Sequence, residues 1–290
     1  MMPDSAGPDD DLRAALTGVR GLILDADGVI VFRNAVIAGA PEGLARLAAA
    51  GIPFRVVTNF TRSHRETLAA RFRADGLDVD PARIITGASA AAAWTARAHP
   101  GEPLYVLAPP DALREFAGQR LLTADEARRP GATAGAVVIG DAGSDLRFDD
   151  LDVAFGLARA GAELLAMHRN PWWLTARGVT LDSGALVVGL EFALGRRAVT
   201  VGKPSPVVFR QAAAGLASDL GLRRLPAPAI AMVGDDPLAD LAPAHRLGMR
   251  TVLVLTGKTG PGDADAAFTR LRFRPDAVAP SIREVARALG

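Results

Sequence analysis

Short apolar runs that stop abruptly at polar residues recur along this chain. Leu22-Ile23-Leu24 ends on Asp25, with Asp27 and Gly28 just beyond. Phe54-Arg55-Val56-Val57 ends on Thr58-Asn59, Ala198 to Gly202 on Lys203-Pro204, and Ala229 to Gly234 on Asp235-Asp236. A brief apolar run bounded by a turn signal reads as a buried strand of a parallel sheet. Between the first two runs, Pro41 to Leu47 opens a helix with proline in its first turn, and Gly51-Ile52-Pro53 ends it. Ser63 to Asp75 reads as a second helix, with Leu68, Ala69 and Phe72 on one face and Gly76 closing it. Strand, helix, strand, helix predicts an α/β fold built on a doubly wound, Rossmann-like parallel sheet.

Residues 87–197 carry an alternating series of their own. Strands are expected at Leu104–Ala108, Ala136–Ile139 and Leu164–His168, and helices around Asp111–Ala117, Asp149–Ala160 and Gly184–Leu194. The segment is the size of a small domain and separates the first two polar strand ends from the last two. Residues 1–86 and 198–290 therefore read as one core, and 87–197 as an inserted α/β cap domain. Ile84-Ile85-Thr86 is expected to start the second series. Later, helices are predicted at Ser205–Leu220 and Asp240–Leu247, and a strand at Thr251–Leu255. Thr256 to Asp265 is glycine-rich and expected to be a mobile loop at the same sheet edge, before a strand at Asp276–Val278 and a helix at Ile282–Leu289. Residues 1–11 read as a disordered lead-in.

Composition narrows the function classes. The 290-residue chain has a formal net charge of +1 and scattered arginines, so nothing points to a nucleic-acid or anionic-membrane surface. Cysteine is absent, which removes disulfides, thiol catalysis and cysteine metal sites. No apolar stretch approaches the roughly 18 residues that span a bilayer, and no signal pattern opens the chain. A soluble, cytoplasmic protein is the expectation.

Ligands of open α/β sheets bind beyond the carboxyl ends of the strands. If the four runs lie parallel in one sheet, their polar ends converge on one edge. Asp25, Asp235 and a backbone carbonyl near Asp27 would suit Mg²⁺, which takes oxygen ligands and a substrate phosphate; no histidine or cysteine stands there for zinc. A carboxylate can accept a phosphoryl group covalently. Thr58, Asn59, backbone N–H groups around Gly28 and Lys203 could offset its charge. Asp27 could protonate the leaving oxygen and then activate water.

The set resembles the four motifs of the haloacid dehalogenase (HAD) superfamily of phosphatases. Asp25-x-Asp27-Gly28-Val29, Thr58-Asn59, Lys203-Pro204 and Gly234-Asp235-Asp236 with Asp240 occur in the family's order. The long insertion between the second and third is similar to that of the large-cap group, which includes the NagD-like and nitrophenyl phosphatases. His168-Arg169-Asn170 through Gly178, Asp182-Ser183-Gly184 and Gly189 to Ala193 resemble the phospholysine phosphohistidine inorganic pyrophosphate phosphatases. The resemblance implies Asp25 as nucleophile and metal ligand, and Asp27 as acid/base, ligating through its carbonyl. It implies Thr58, Asn59 and Lys203 as phosphate contacts, Asp235 as the remaining metal ligand, and Asp236 and Asp240 behind it.

There are three departures from the pattern: Phe60, where relatives often carry a second asparagine or small polar residue, Ala239, and Trp172-Trp173 in place of tyrosines. His168 has two readings, a substrate contact or a satisfied structural histidine, and Asp236 could simply cap the following helix. The expected activity is Mg²⁺-dependent hydrolysis of a small phosphorylated metabolite through an aspartyl-phosphate. The competing readings are a phosphotransferase or mutase of the same superfamily and a non-catalytic phospho-acceptor or regulatory protein. A homodimer through the cap is expected on the resemblance alone.

Overall fold

The computed structural model describes residues 8–175, 178–271 and 273–290. Residues 1–7 of the expected lead-in lie outside the described residues, and a helix runs over Pro8–Leu16. The chain divides into two compact units. One is made of the chain up to Thr58 with Ala69–Ile84 and Val208–Gly290, and the other of Asn59–Leu68 with Ile85–Val207.

The first unit is built on a six-stranded sheet. Its order is Ala277–Ala279, Arg250–Val254, Ile230–Gly234, Gly21–Asp25, Phe54–Val57, Ile84–Ile85. The four pairings from Ala277–Ala279 to Phe54–Val57 are parallel. Leu22, Ile23, Leu24, Val56, Val57, Met232, Val233, Val252 and Leu253 are sealed from solvent, as expected of strands covered on both faces. The chain enters at a central strand, moves outward through Phe54–Val57, and later returns to build the other half from Ile230–Gly234. The switch point therefore lies between Gly21–Asp25 and Ile230–Gly234, where such sheets form a crevice. Gly21 pairs with Ile230 and Leu24 with Val233, so the two strands finish side by side.

Helices close this unit for local reasons. In Ala40–Ala49, Pro41 sits in the first turn and Gly43, Leu44 and Leu47 form a buried stripe. The helix packs on Ile282–Leu289, which Ser281 caps by accepting from Arg283 N at 3.2 Å. A β-carbon on Gly43 would stand 3.3 Å from the Arg283 backbone, so glycine sets that close approach.

The second unit carries a four-stranded parallel sheet ordered Val199–Thr200, Glu163–Ala166, Ala136–Ile139, Leu104–Leu107. Ala154, Leu157 and Ala158 of the helix Phe148–Arg159, and Val187 and Leu190 of Gly184–Leu194, belong to its core. An antiparallel hairpin pairs Trp172–Thr175 with Gly178–Leu181. Among the described residues no helix is long and apolar enough to cross a membrane.

Three expectations change. The run before Lys203 does not join the large sheet: Val199–Thr200 is a half-buried, two-residue edge strand on Glu163–Ala166. An apolar run does not specify its own pairing partner, so four similar strand ends did not mean one sheet. Ile84–Ile85 edges the large sheet, and Thr86 caps a helix at Gly87–Ala98 through a reciprocal capping box with Ser89. The helix expected at Asp240–Leu247 is a π turn, Pro237–Leu241, followed by a short α segment, Ala242–Arg246.

Candidate active site

In the first unit, the two central strands end in carboxylates. Asp25 is the last residue of its strand, 7% exposed, and its Oδ1 accepts from Ala26 N at 2.6 Å. Asp235 follows Ile230–Gly234 and is 1% exposed. Asp240 is sealed. One carboxylate oxygen from each of Asp25, Asp235 and Asp240 lies within 4.8 Å of the others. Three acids at that spacing in a dry site repel one another unless a cation or protons intervene. Their donors are all hard oxygens, which suits Mg²⁺ or Ca²⁺ and not zinc. The residues present fit a hard divalent cation.

The backbone around this cluster is tight. Gly28 has φ +83°, and a β-carbon there would run into the Asp235 carboxylate. The loop turns on Gly28 N donating to Val31 O at 2.7 Å, and it leaves Asp27 exposed to solvent beside the buried Asp25. Gly234 has no room for a side chain either, because a β-carbon would stand 2.5 Å from Asp240 Oδ2. The π turn brings Asp240 into the cluster: Asp240 N donates to Asp236 O at 2.9 Å, and Asp236 N donates to Asp240 Oδ2 at 3.3 Å. One Asp240 oxygen thus shares this cluster with those of Asp25 and Asp235.

Asp236 is a cap and a counter-ion. Its Oδ1 accepts from Leu238 N and Ala239 N at 2.9 and 3.0 Å, and its Oδ2 lies 3.0 Å from Lys258 Nζ. Burial pushes its carboxyl up, but the Lys258 ammonium and the two backbone donors outweigh that and leave it below the ordinary range. Partial loss of water beside the acids works against the charge on Lys258, whose side chain is otherwise largely exposed, and the Asp236 carboxylate outweighs it, holding the ammonium above its usual value.

The loop carrying Lys258 was expected at this sheet edge, but none of its residues was assigned to the site. Thr256 Oγ1 donates to Gly28 O at 2.5 Å, and Lys258 N donates to Asp235 Oδ2 at 2.5 Å. Gly257 lies so close to Asp235 and the Gly28 Cα that a β-carbon would overlap both. Thr256 to Lys258 is therefore anchored, contrary to the mobile loop expected there. The signal was available: another apolar run, Thr251 to Leu255, ends on a hydroxyl, a glycine and an ammonium.

Thr58, 4% exposed, follows the strand Phe54–Val57. Asn59 and Lys203 meet in the second unit. Asn59 Oδ1 accepts from Lys203 N at 2.8 Å, Asn59 Nδ2 donates to Lys203 O at 2.9 Å, and the same nitrogen lies 3.4 Å from Asn170 Oδ1. The Asn59 side-chain amide is directed at the Lys203 backbone. Lys203 is 4% exposed, and its peptide to Pro204 is cis.

His168 is 2% exposed. Its Nδ1 accepts from Asn170 N at 3.2 Å, and its Nε2 lies 3.4 Å from Ser183 Oγ and 3.5 Å from Asp182 Oδ1. Burial pulls the imidazole below its usual value against the charges of Asp182 and Asp141, and burial raises the Asp182 carboxyl. This is the environment of a satisfied internal histidine. On the hairpin, Trp172 and Leu181 pair across the strands and are both exposed.

The chain resembles known proteins along most of its length. A haloacid dehalogenase-like hydrolase model matches residues 22–121, and a HAD-hydrolase-like model matches 200–285. Human haloacid dehalogenase-like hydrolase domain-containing protein 2 is 31% identical over 252 residues, spanning 87% of this chain and 90% of the human protein. Human phospholysine phosphohistidine inorganic pyrophosphate phosphatase is 30% identical over 254 residues, 86% of this chain and 87% of that one. The structure of p-nitrophenyl phosphatase from Archaeoglobus fulgidus superposes with a TM-score of 0.82 at 29% identity, covering 93% of this chain and 99% of that one. The chain belongs to the haloacid dehalogenase-like hydrolase family.

Proposed function

We propose that this protein is a cytoplasmic, Mg²⁺-dependent phosphatase that hydrolyses a small phosphorylated metabolite through an aspartyl-phosphate on Asp25. The observation that supports this best is the buried carboxylate cluster at the switch point of the sheet, its oxygens within 4.8 Å of one another. In this reading residues 1–86 and 198–290 form the catalytic core, and 87–197 the cap that selects the leaving group. Two of the similar proteins are themselves named as phosphatases.

Asp25, Asp235 and Asp240, with the Asp27 carbonyl, would hold Mg²⁺, whose charge offsets that of the phosphoryl oxygens. An Asp25 oxygen attacks phosphorus as the bond from phosphorus to the leaving oxygen breaks. The Asp27 carboxyl gives its proton to that oxygen. Asp27, now ionised, takes a proton from water, whose oxygen attacks phosphorus; the bond to Asp25 breaks and phosphate leaves. The exposure of Asp27 beside the buried Asp25 suits a group that exchanges protons. Thr58 and Lys203 contact the phosphate. Asn59 holds the Lys203 backbone, and His168 keeps a structural place in the cap.

Phosphate release from p-nitrophenyl phosphate and a panel of phosphorylated metabolites, with and without Mg²⁺, tests the reading. Metal-dependent turnover abolished by Asp25→Asn supports it. Folded protein that binds Mg²⁺ but releases no phosphate from any of them would sink it, and transfer of phosphate to a second metabolite would point to a phosphotransferase.

A further inference from the structure

We propose that Lys258 is a built-in counter-ion of the carboxylate cluster and sets its Mg²⁺ affinity from outside the ligand set. The inference rests on the metal reading above. Arg250–Val254 is the next strand in the sheet after Ile230–Gly234, with Leu253 paired to Gly234. That register delivers Thr256, Gly257 and Lys258 beside Asp235 and Asp236. Three contacts then fix the loop: Thr256 on the Gly28 carbonyl, Lys258 N on Asp235 Oδ2, and Lys258 Nζ on Asp236 Oδ2 at 3.0 Å. The absence of a side chain at Gly257 lets the backbone come this close to Asp235.

The ion pair itself sits near water, with the Lys258 side chain 63% exposed and that of Asp236 22%. A pair that exposed adds little to folding. Its position gives it a use. Asp236 is adjacent in the chain to Asp235, so the lysine charge cancels a fourth carboxylate at the edge of the three. Without Lys258, Asp236 adds uncompensated negative charge and a divalent cation binds more tightly. Without the Asp236 charge, Lys258 is uncompensated and repels the cation. The two substitutions therefore act in opposite directions on the same affinity, which a purely structural loop would not do.

The test is calorimetric titration of Mg²⁺ into the substrate-free protein, with the Mg²⁺-dependent shift in Tm as a second readout. Lys258→Met is expected to tighten Mg²⁺ binding by about 3-fold or more, and Asp236→Asn to weaken it by a similar factor. The double variant returns towards wild type, Lys258→Arg restores wild-type affinity, and the differences shrink in high salt. Asn keeps the cap acceptor, so Asp236→Asn is expected to fold. Wild-type Mg²⁺ binding with Lys258→Met unchanged within twofold, or weaker, overturns this proposal alone. Wild-type protein that takes up no Mg²⁺ overturns the metal reading and this one together.

Discussion

Asn59 grips the backbone of Lys203 from both sides, accepting from its N–H at 2.8 Å and donating to its carbonyl at 2.9 Å. The fit is close, since a β-carbon on neighbouring Gly202 would stand 2.6 Å from the Asn59 oxygen. Asn59→Ala removes both bonds, each worth about 1 kcal/mol, and loosens a cation assigned to the phosphate. The expected loss is about 30-fold in kcat/KM, with Asn59→Asp, which keeps the acceptor, in between. Steady-state kinetics on p-nitrophenyl phosphate would show this, and an unchanged kcat/KM in Asn59→Ala would remove Asn59 from the positioning of Lys203.

Gly28 and Gly76 share a positive φ, +83° and +87°, but only Gly28 faces an obstacle. A β-carbon at Gly76 meets nothing within 4 Å, whereas at Gly28 it meets the Asp235 carboxylate. Gly76→Ala should cost about 1 kcal/mol, the strain of the left-handed backbone. Gly28→Ala should cost more and weaken Mg²⁺ binding as well. Thermal unfolding of both variants with and without Mg²⁺ separates backbone strain from collision, and equal effects would show that the loop yields.

The parts of this site that could be read in the sequence are those that strand endings announce. Asp25 and Asp235 follow buried apolar runs, and their runs pair in register. Lys203 follows a similar run, yet its strand belongs to the other sheet, because neighbour choice depends on the whole set of strands. Asp240 is reached through the motif resemblance, but the π turn Pro237–Leu241 that carries it into the cluster reads in the sequence as ordinary helix. The loop from Thr256 was legible as lying at the sheet edge, but the anchoring of Thr256 to Lys258 on the site was not, because glycine usually signals freedom. Here Gly257 signals close approach.

Tyr105 is the single tyrosine of the chain, so its titration can be followed without interference. It lies on the strand Leu104–Leu107, 3% exposed. Burial first, and the Asp150 charge next, push its phenol up to about 12 against the opposing charge of Arg128. A folded-state value above the unfolded 10.0 means a stabilising contribution that is complete below pH 10 and lost as pH rises through 12. Absorbance at alkaline pH should give a midpoint near 12 in the folded protein and near 10 in urea. A folded midpoint near 10 would mean that water reaches the phenol.

Large apolar side chains stand exposed on the inserted segment, including Trp172 at 56%, Leu181 at 71% and Phe192 at 90%. Contiguous exposed apolar surface marks association sites, and Trp172 pairs with Leu181 across the hairpin. We expect the wild type to be a dimer in light scattering and Trp172→Asp with Phe192→Asp to be a monomer of unchanged circular dichroism. A wild-type monomer at high concentration would refute association through this face.

Asp240→Asn should raise stability in EDTA and lower it in Mg²⁺. Without a cation, the carboxyl groups of Asp25, Asp235 and Asp240 crowd within 4.8 Å in a buried site, and removing one acid relieves the repulsion, or the proton uptake, that such crowding imposes. The amide can still accept from Asp236 N, so the turn survives. With Mg²⁺ the lost charge becomes a lost ligand. Wild type at 100 times its Kd should gain about 2.7 kcal/mol from the ion, a rise of roughly 5–10 °C in Tm, and the variant should gain far less. The two proteins' unfolding temperatures should therefore cross as Mg²⁺ is added. If Asp240→Asn instead tracks the wild type at every Mg²⁺ concentration, Asp240 carries no share of the cation.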